Sequence, residues 1–563
     1  MSTGMKEKLQ ALPEISKLQL INILNNISGR KDLILHETVL KNINHVVNIH
    51  DLRSCDVEKI YKIDLNNISI VIKSDIGVIV TYDQFSHIKT LCHQVSTELR
   101  RKENIKYHFV IIPAVTSAIE ILLEEEGLYG LVELHSFLWQ PIVMDINVIS
   151  LELPQIISGL FLKKNLLLVP GLAKSLEHLF ALFGQPMNSF IHGEISMNIY
   201  ENVNKACFKQ TPSSDIDYFI MFDRSVDYAS VLLTPTTYVG LLDQIFSIDN
   251  DVIELANNTS INKRKDTLLK ELKYRSFIDV SNYLKEKSRF IQNEQNKYKN
   301  NMSVPELKQY INQDLKSILE LKKQVAAHIA ACESIVNNIG EYYAELSDLE
   351  NNIVNDIDRS ECYQHISNML LGQKLSKEHV LQLICLLSYY NQGLPVDQYN
   401  EFKSDYFNIY GYEHLTTFHN LDKHKLLTKK STMNITDTIN AQTQMLNTEL
   451  KTMINKLKSP GDAPPSTVSR FYVSRIIELI VTHKYSVDNL CKLFTSNCQC
   501  YSNKTNESSS SKNKPTFVLC VVGGITHNEI ACLSSLETNL DVNIVVYTTN
   551  LINATSFMQQ CMP

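Results

Sequence analysis

Short, almost uninterrupted apolar runs rich in Ile, Val and Phe recur at both ends of this 563-residue chain, and they limit its fold more than any other feature. They are Ile68–Ile72, Phe109–Ile112, Ile216–Phe222 and Phe517–Val522. A half-exposed strand would alternate apolar with polar residues. Unbroken runs suit strands covered on both faces, as in a parallel sheet flanked by helices. Leu18, Ile21 and Leu24 fall in helical register, and Gly29-Arg30-Lys31-Asp32 breaks that helix before a short strand at Leu33–Leu35. The helix-periodic stretch His87–Glu103 lies between later strands. This alternation predicts a doubly wound α/β fold.

A second α/β unit is expected from about residue 140, with the strand Ile216–Phe222 running into Asp223-Arg224-Ser225-Val226-Asp227. Far downstream, a strand at Phe517–Val522, a helix at Thr526–Leu536 and a strand at Asn543–Tyr547 make a βαβ unit too small to stand alone. It is expected to complete the sheet begun near residue 140, with everything between inserted.

The insertion reads as helical. Phe277, Val280, Leu284 and Ile291 recur at helix spacing. After 300–305, where Pro305 suits a first helical turn, Leu307, Ile311, Leu315, Ile318, Val325, Ile329 and Cys332 do the same. Two long helices about a polar turn predict a helical hairpin, with Lys285, Lys287 and Arg289 on the outside of its first arm. Further helices are expected at Val380–Tyr390 and Asp405–Leu427, then a Pro/Gly loop at Lys458–Ser466 and a Ser/Asn/Lys-rich linker at Tyr501–Lys514.

Composition excludes several classes. With 54 Lys and Arg against 61 Asp and Glu, the net charge is −7, which disfavours a general nucleic-acid binder. No apolar h-region follows Met1, and no stretch of ~20 apolar residues reads as a membrane span, so membrane attachment is expected only through partners. Twelve scattered Cys without framework spacing read as reduced thiols. Cys491, Cys498 and Cys500 cluster near His483, but the Cys-x-x-Cys pairs of structural zinc sites are missing, and ordinary thiols are the reading preferred.

The clearest enzyme-like signal is the strand–glycine–helix turn Gly523-Gly524-Ile525-Thr526. Such a turn can present N–H groups to a phosphate. It lacks the Lys-Ser/Thr of a phosphate-binding loop, and Thr526 with Glu529 fits a capping box instead. Asp223 and Asp227 flank Arg224 at a strand end, where paired carboxylates can hold a metal or act as acid and base. The structural reading, in which Asp223 pairs with Arg224 or caps a turn, is preferred. His414 and His419 are five apart on an expected helix and point to different faces, as packing or interface residues do. No catalytic residue, metal site or cofactor is nominated.

Two motifs are more specific. Asp223-Arg224-Ser225-Val226-Asp227, Leu233-Thr234-Pro235 and the segment Thr237 to Phe246, with Tyr238, Gly240 and Asp243, resemble the central signature of the SM (Sec/Munc-type) family. Gly523-Gly524-Ile525-Thr526 through Glu529-Ile530, with Thr548-Thr549, resembles its last βαβ unit. Tyr410 to Leu415 with Phe418, Asn420 and Leu421 is similar to the class C vacuolar protein sorting branch. Leu12-Pro13-Glu14, Lys31-Asp32-Leu33, Leu123 to Gly130 and Ala331 to Ile335 are similar to the B type of that branch, while Tyr412 is closer to the A type. The stretch between Leu427 and Phe517 is short for the family, and Pro464 to Ser469 stands where another motif is usual.

The resemblance implies an arch of two α/β domains and a large all-α insertion. Residues 1–137 would form domain 1, and 138–247 with 515–563 a discontinuous domain 2. Residues 248–345 would be helical domain 3a with the hairpin, 346–500 domain 3b with a return helix, and 501–514 a disordered linker. It implies a non-catalytic, cytoplasmic protein, peripheral on late endosomes, lysosomes or recycling endosomes, that binds syntaxin-type SNARE helices for tethering and fusion. Lys285, Lys287 and Arg289 would serve SNARE binding. Tyr412 and Leu415, three apart on one expected helix face, would dock a partner subunit, VIPAR for the B type or a HOPS/CORVET subunit for the A type. Rab GTPases would be reached only indirectly. The alternative from another class is a nucleotide-binding α/β enzyme using Gly523 and Gly524.

Overall fold

The structure is a computed structural model, and it describes residues 3–63, 72–101, 105–153, 156–205, 214–246, 248, 252–255, 260–263, 265–297, 315–430, 471–494, 498–502 and 514–562. The chain folds into two compact units. One comprises Met1–Val226, Leu479–Gly524 and Glu537–Leu551, and the other Asp227–Glu478, Ile525–Leu536 and Ile552–Pro563.

The first unit holds two sheets. Strands β1 (Lys31–His36), β2 (Val57–Ile63), β3 (Ile76–Tyr82), β4 (Lys106–Ile112) and β5 (Val132–Ser136) form a parallel sheet in the order β2-β1-β3-β4-β5. That order is one of the doubly wound arrangements. Its central strands are buried along almost their whole length because helices such as Phe85–Arg101 and Ser117–Glu125 cover them. Ile34, Ile79, Phe109 and Ile111 meet Ile88, Leu91, Val95 and Leu122 in that core.

The second sheet begins with β6 (Ile142–Asp145), β7 (Val148–Ser150), β8 (Asn188–His192) and β9 (Tyr218–Asp223). A small ribbon, β10 (Val252–Glu254) with β11 (Ser260–Asn262), lies in the other unit. The chain then returns with β12 (Cys498–Ser502), β13 (Thr516–Val522) and β14 (Asn543–Thr548), giving the order β12-β8-β9-β13-β14-β7-β6. Strand β13 lies parallel between β9 and β14, with Phe517 opposite both Tyr218 and Ile544. A segment almost 300 residues downstream therefore fills the middle of this sheet, as its fully apolar run implies.

The second unit is mainly helical. Helix Phe277–Lys297 packs on helix Leu315–Ile335, burying Val280, Leu284 and Ile291 against Ile318, Val325, Ala331 and Ile335. Helices Glu341–Asn355, Arg359–Leu371, Lys377–Tyr390 and Val396–Tyr410 follow.

Several expectations change. The helix at the start runs Thr3–Asn26, and it buries Leu12, Ser16, Leu20 and Leu24 every four residues, which turns Leu18 out to solvent. Most of the expected strand Ile68–Ile72 lies outside the described residues, and the strand beside β1 and β4 is Ile76–Tyr82. Ile329 is partly exposed, and the buried position on that turn belongs to His328. The expected helix Asp405–Leu427 breaks at Gly411, whose φ of +105° suits glycine and ends an α-helix. Tyr501 and Ser502, read as linker, extend β12 along β8. The Pro/Gly loop, the Pro464 to Ser469 segment and Pro305 lie outside the described residues. Leu166–Phe183 is long and apolar enough to cross a membrane by length and composition, which the sequence reading overlooked. Its Leu172, Leu176, Leu179 and Phe180 are buried in the first unit, and Tyr547 of β14 donates to Ser175 at 2.9 Å, as befits a helix covering a sheet.

Candidate partner-binding site

The carboxyl end of β9 delivers the first signature residues. Asp223 is fully buried, and its carboxylate accepts from the N–H groups of Ile195 at 3.0 Å, Ser196 at 3.2 Å and Ser225 at 3.1 Å, and from the Ser225 hydroxyl. It thus closes the start of helix Glu194–Lys205 and the turn after β9. Of the two roles expected for this side chain, capping is the one observed. Gly193 must be glycine, because its φ is +105° and an added Cβ would fall on the Asp223 carboxylate. Arg224 is buried as well. Its Nη2 donates to the Gly524 carbonyl at 2.7 Å, and its guanidinium lies 5.5 Å from the Phe222 ring.

Gly523 sits against this arginine. A Cβ there would approach the Arg224 Cβ to 2.8 Å, and its N–H donates to Thr549 Oγ1 at 3.0 Å. The turn that the nucleotide-binding alternative needed as a phosphate cradle spends this N–H and the Gly524 carbonyl within the fold. In the second unit, Thr526 and Glu529 form the expected capping box. The Thr526 N–H and hydroxyl reach Glu529 Oε2 at 2.9 and 3.0 Å, and the Glu529 N–H reaches Thr526 Oγ1 at 3.2 Å.

The rest of the central signature organises the helical unit. Asp227 caps the short helix Ala229–Leu232 through the Ser230 N–H at 3.1 Å and the Ser230 hydroxyl. Glu350 is buried and accepts from the Thr234 N–H at 3.0 Å. Gly240 lets helix Tyr238–Phe246 approach Pro235, since a Cβ would come within 2.8 Å of the proline Cβ. Asp243 accepts from Asn553 Nδ2 at 2.9 Å.

Tyr238 donates to or accepts from His328 Nδ1 at 2.9 Å, and His328 Nε2 stands 3.4 Å from Asp266 Oδ2. This chain of contacts ties the signature helix to the second arm of the hairpin. Burial alone would raise the Asp266 pKa, but His328 and the Leu269 N–H outweigh it and hold it below the usual carboxylate range. A depressed folded-state pKa contributes stability above the unfolded value, and that contribution is lost as pH falls through the folded value. Asp266→Asn is therefore expected to cost about 1 kcal/mol at neutral pH. The gap from wild type should close as the solution is acidified below the ordinary carboxylate range. Urea midpoints of both proteins across pH check this, and a gap that stays constant would contradict it.

On the first arm, Lys285 and Arg289 are exposed and enter no ion pair among the described residues. Lys287 differs from them. It lies 3.3 Å from Glu271 and 5.1 Å from the Tyr283 ring, so it is largely used within the chain. The sequence reading missed two apolar neighbours, Ile278 at 72% exposure and Phe290 at 51%. With Val280, Leu284 and Ile291 facing inward, the 100° helical step turns Ile278 outward in line with Asn282, Lys285 and Arg289. The second arm adds Leu319, Lys322, Lys323 and Ile329 as exposed side chains.

Tyr412 and Leu415 do not share one α-helix. The break at Gly411 puts Tyr412 in a 3-10 turn, Tyr412–His414, and Leu415 at the start of helix Leu415–Lys423. Both are nonetheless solvent-exposed, Tyr412 at 73% and Leu415 at 55%, with the Tyr412 ring 5.6 Å from Phe407. His414 is buried against Tyr406, and His419 is exposed. Cys498 Sγ lies 3.5 Å from the Cys491 carbonyl and Cys500 Sγ 3.3 Å from Asp488 Oδ1.

The chain matches the Sec1 family over residues 31–560 and belongs to that family. It is similar to vacuolar protein sorting-associated protein 33B of Homo sapiens, with 25% identity over 97% of this chain and 96% of that protein. The zebrafish protein of that name (Danio rerio) is 26% identical over 75% of this chain and 70% of its own length. Vacuolar protein sorting-associated protein 33A of Rattus norvegicus is 23% identical over 98% of both chains. Within the SM proteins the chain therefore falls in the vacuolar protein sorting 33 class, on the B-type side.

Solved structures agree on the fold. The SM protein Vps45 in complex with the Qa SNARE Tlg2 superposes with a TM-score of 0.60 at 14% identity, covering 97% of both chains. The Unc18–syntaxin 1 complex of Monosiga brevicollis gives 0.58 at 14% identity, covering 99% of both.

Proposed function

We propose that this chain is a non-catalytic SNARE-binding protein that acts in vesicle tethering, docking and fusion within the endosomal and lysosomal system. The observation that carries the reading is the hairpin face, where Ile278, Lys285 and Arg289 line one side of a long helix and point away from its packed core. Such a face suits an amphipathic partner helix, which offers apolar anchors and an acidic or polar flank. Titrating a labelled Qa-SNARE helix peptide into the full chain tests it. Saturable binding supports the reading, and none at any salt concentration overturns it.

The second part of the proposal concerns the partner subunit. Tyr412 and Leu415 form an exposed apolar pair next to the well-packed Phe407 and Phe418. An exposed tyrosine on a rigid base is a good interface anchor. The pair is assigned to docking VIPAR, in keeping with the B-type similarity, and this contact would bring the chain to late or recycling endosome membranes. Tyr412→Asp would bury a charge in that interface, so co-purification with VIPAR is expected to fall at least about tenfold while the fold persists. Unchanged recovery of VIPAR would reject the assignment. Recovery of HOPS or CORVET subunits in its place would favour the A-type role.

A further inference from the structure

Strands β4 and β5 bring His108 together with Glu133 and His135, which lie 25 and 27 residues further along the sequence. His108 on β4 stands directly opposite Glu133 on β5, and His135 lies one pleat further along the same face. His108 Nδ1 is 3.2 Å from His135 Nε2 and 3.4 Å from Glu133 Oε2, and one donor atom from each of the three lies within 4.8 Å of the others. We propose that His108, Glu133 and His135 form a binding site for a borderline divalent cation of the zinc type, with a fourth position open to water.

The distances carry the argument. In a tetrahedral site with metal–ligand bonds of about 2.0–2.1 Å, neighbouring donor atoms are separated by about 3.3–3.4 Å. Both measured separations from His108 Nδ1 match that edge. Two imidazole nitrogens and one carboxylate oxygen form a donor set that zinc accepts readily. The ligands come from two adjacent strands of a hydrogen-bonded sheet, so their backbone spacing is fixed before any ion arrives. Strand β5 is the edge of its sheet and the Glu133 side chain is largely exposed, so an ion has a path from solvent. Without metal the same geometry is a hydrogen bond between the two imidazoles, and the experiment separates the two.

The probe is Co2+, added to the full chain after dialysis against a chelator, followed by displacement with Zn2+. The expected result is one Co2+ per chain with visible d–d absorption and no sulfur charge-transfer band, released by Zn2+. Loss of partners outside the coordination sphere already costs 10–100-fold in metal affinity, so removing a ligand should weaken binding by at least about that factor. His135→Ala and Glu133→Gln carry this test, because both lie at the sheet edge and spare the buried His108. A Cys498→Ser/Cys500→Ser protein should retain the site, which excludes those thiols as the ligands. Zn2+ should also raise the melting temperature of wild type and not of His135→Ala. Equal Co2+ binding by wild type and His135→Ala, including none by either, would overturn the proposal and leave a hydrogen-bonded histidine pair.

Discussion

Replacing Asp223 by alanine is expected to destabilise the chain by about 3–5 kcal/mol, because several buried donors lose their acceptor together. The N–H groups of Ile195, Ser196 and Ser225 and the Ser225 hydroxyl all converge on this carboxylate. The side chain is fully buried, so no water replaces it without opening the sheet end. The loss would fall on the start of helix Glu194–Lys205 and on the turn into Arg224, which together set the exit of β9. Asp223→Asn keeps one oxygen acceptor and should lie between alanine and wild type. Soluble yield and the urea midpoint of the first unfolding transition measure the effect. An alanine protein with an unchanged midpoint would show that the carboxylate is dispensable to the fold. A stable variant that lost an enzymatic turnover would instead make Asp223 catalytic.

The α/β class was readable because strands buried on both faces must be apolar throughout, and Phe109–Ile112 and Phe517–Val522 are. The same rule hides edge strands. In Val57–Ile63 only the two end residues are buried, and in Cys498–Ser502 none is, so neither shows an apolar run. Helix phase was read from Leu18 and Ile329 because both are apolar, yet Ser16 and His328 take the buried positions. A serine or histidine can be buried when its polar atoms find partners, as Ser16 does with the Gln140 N–H and His328 with Tyr238.

The capping box at Thr526 and Glu529 was legible because its geometry is local. The partners of Arg224 and Glu350 were not, because Gly524 lies 300 residues from one and Thr234 116 residues from the other. The three-residue cluster at His108 is hidden for the same reason, since only strand pairing brings β4 and β5 side by side. Ile278 and Phe290, by contrast, were within reach. A helical wheel through Val280, Leu284 and Ile291 already turns Ile278 away from the core and puts Phe290 on its flank, about 100° round.

Reversing Lys285 and Arg289 together to glutamate is expected to weaken binding of a SNARE helix about tenfold or more while leaving the fold intact. Exposed charges contribute little to stability, and neither residue takes part in the hairpin core or in an ion pair among the described residues. Lys287 is left out because it pairs with Glu271, so its reversal would confound binding with local packing. The loss should be larger at low salt, where charges about 10 Å apart or less are weakly screened, and should shrink as salt is raised. Ile278→Ala on the same face supplies the contrast. Its effect comes from apolar contact and should persist at high salt. The measurement is the affinity of one labelled peptide for wild type and both variants at two salt concentrations, with circular dichroism to confirm folding. A salt-sensitive loss in the charge variant beside a salt-insensitive loss in Ile278→Ala places the partner helix on this side of the arm. Equal affinities for all three proteins would remove the face from the binding site and leave the hairpin as scaffold.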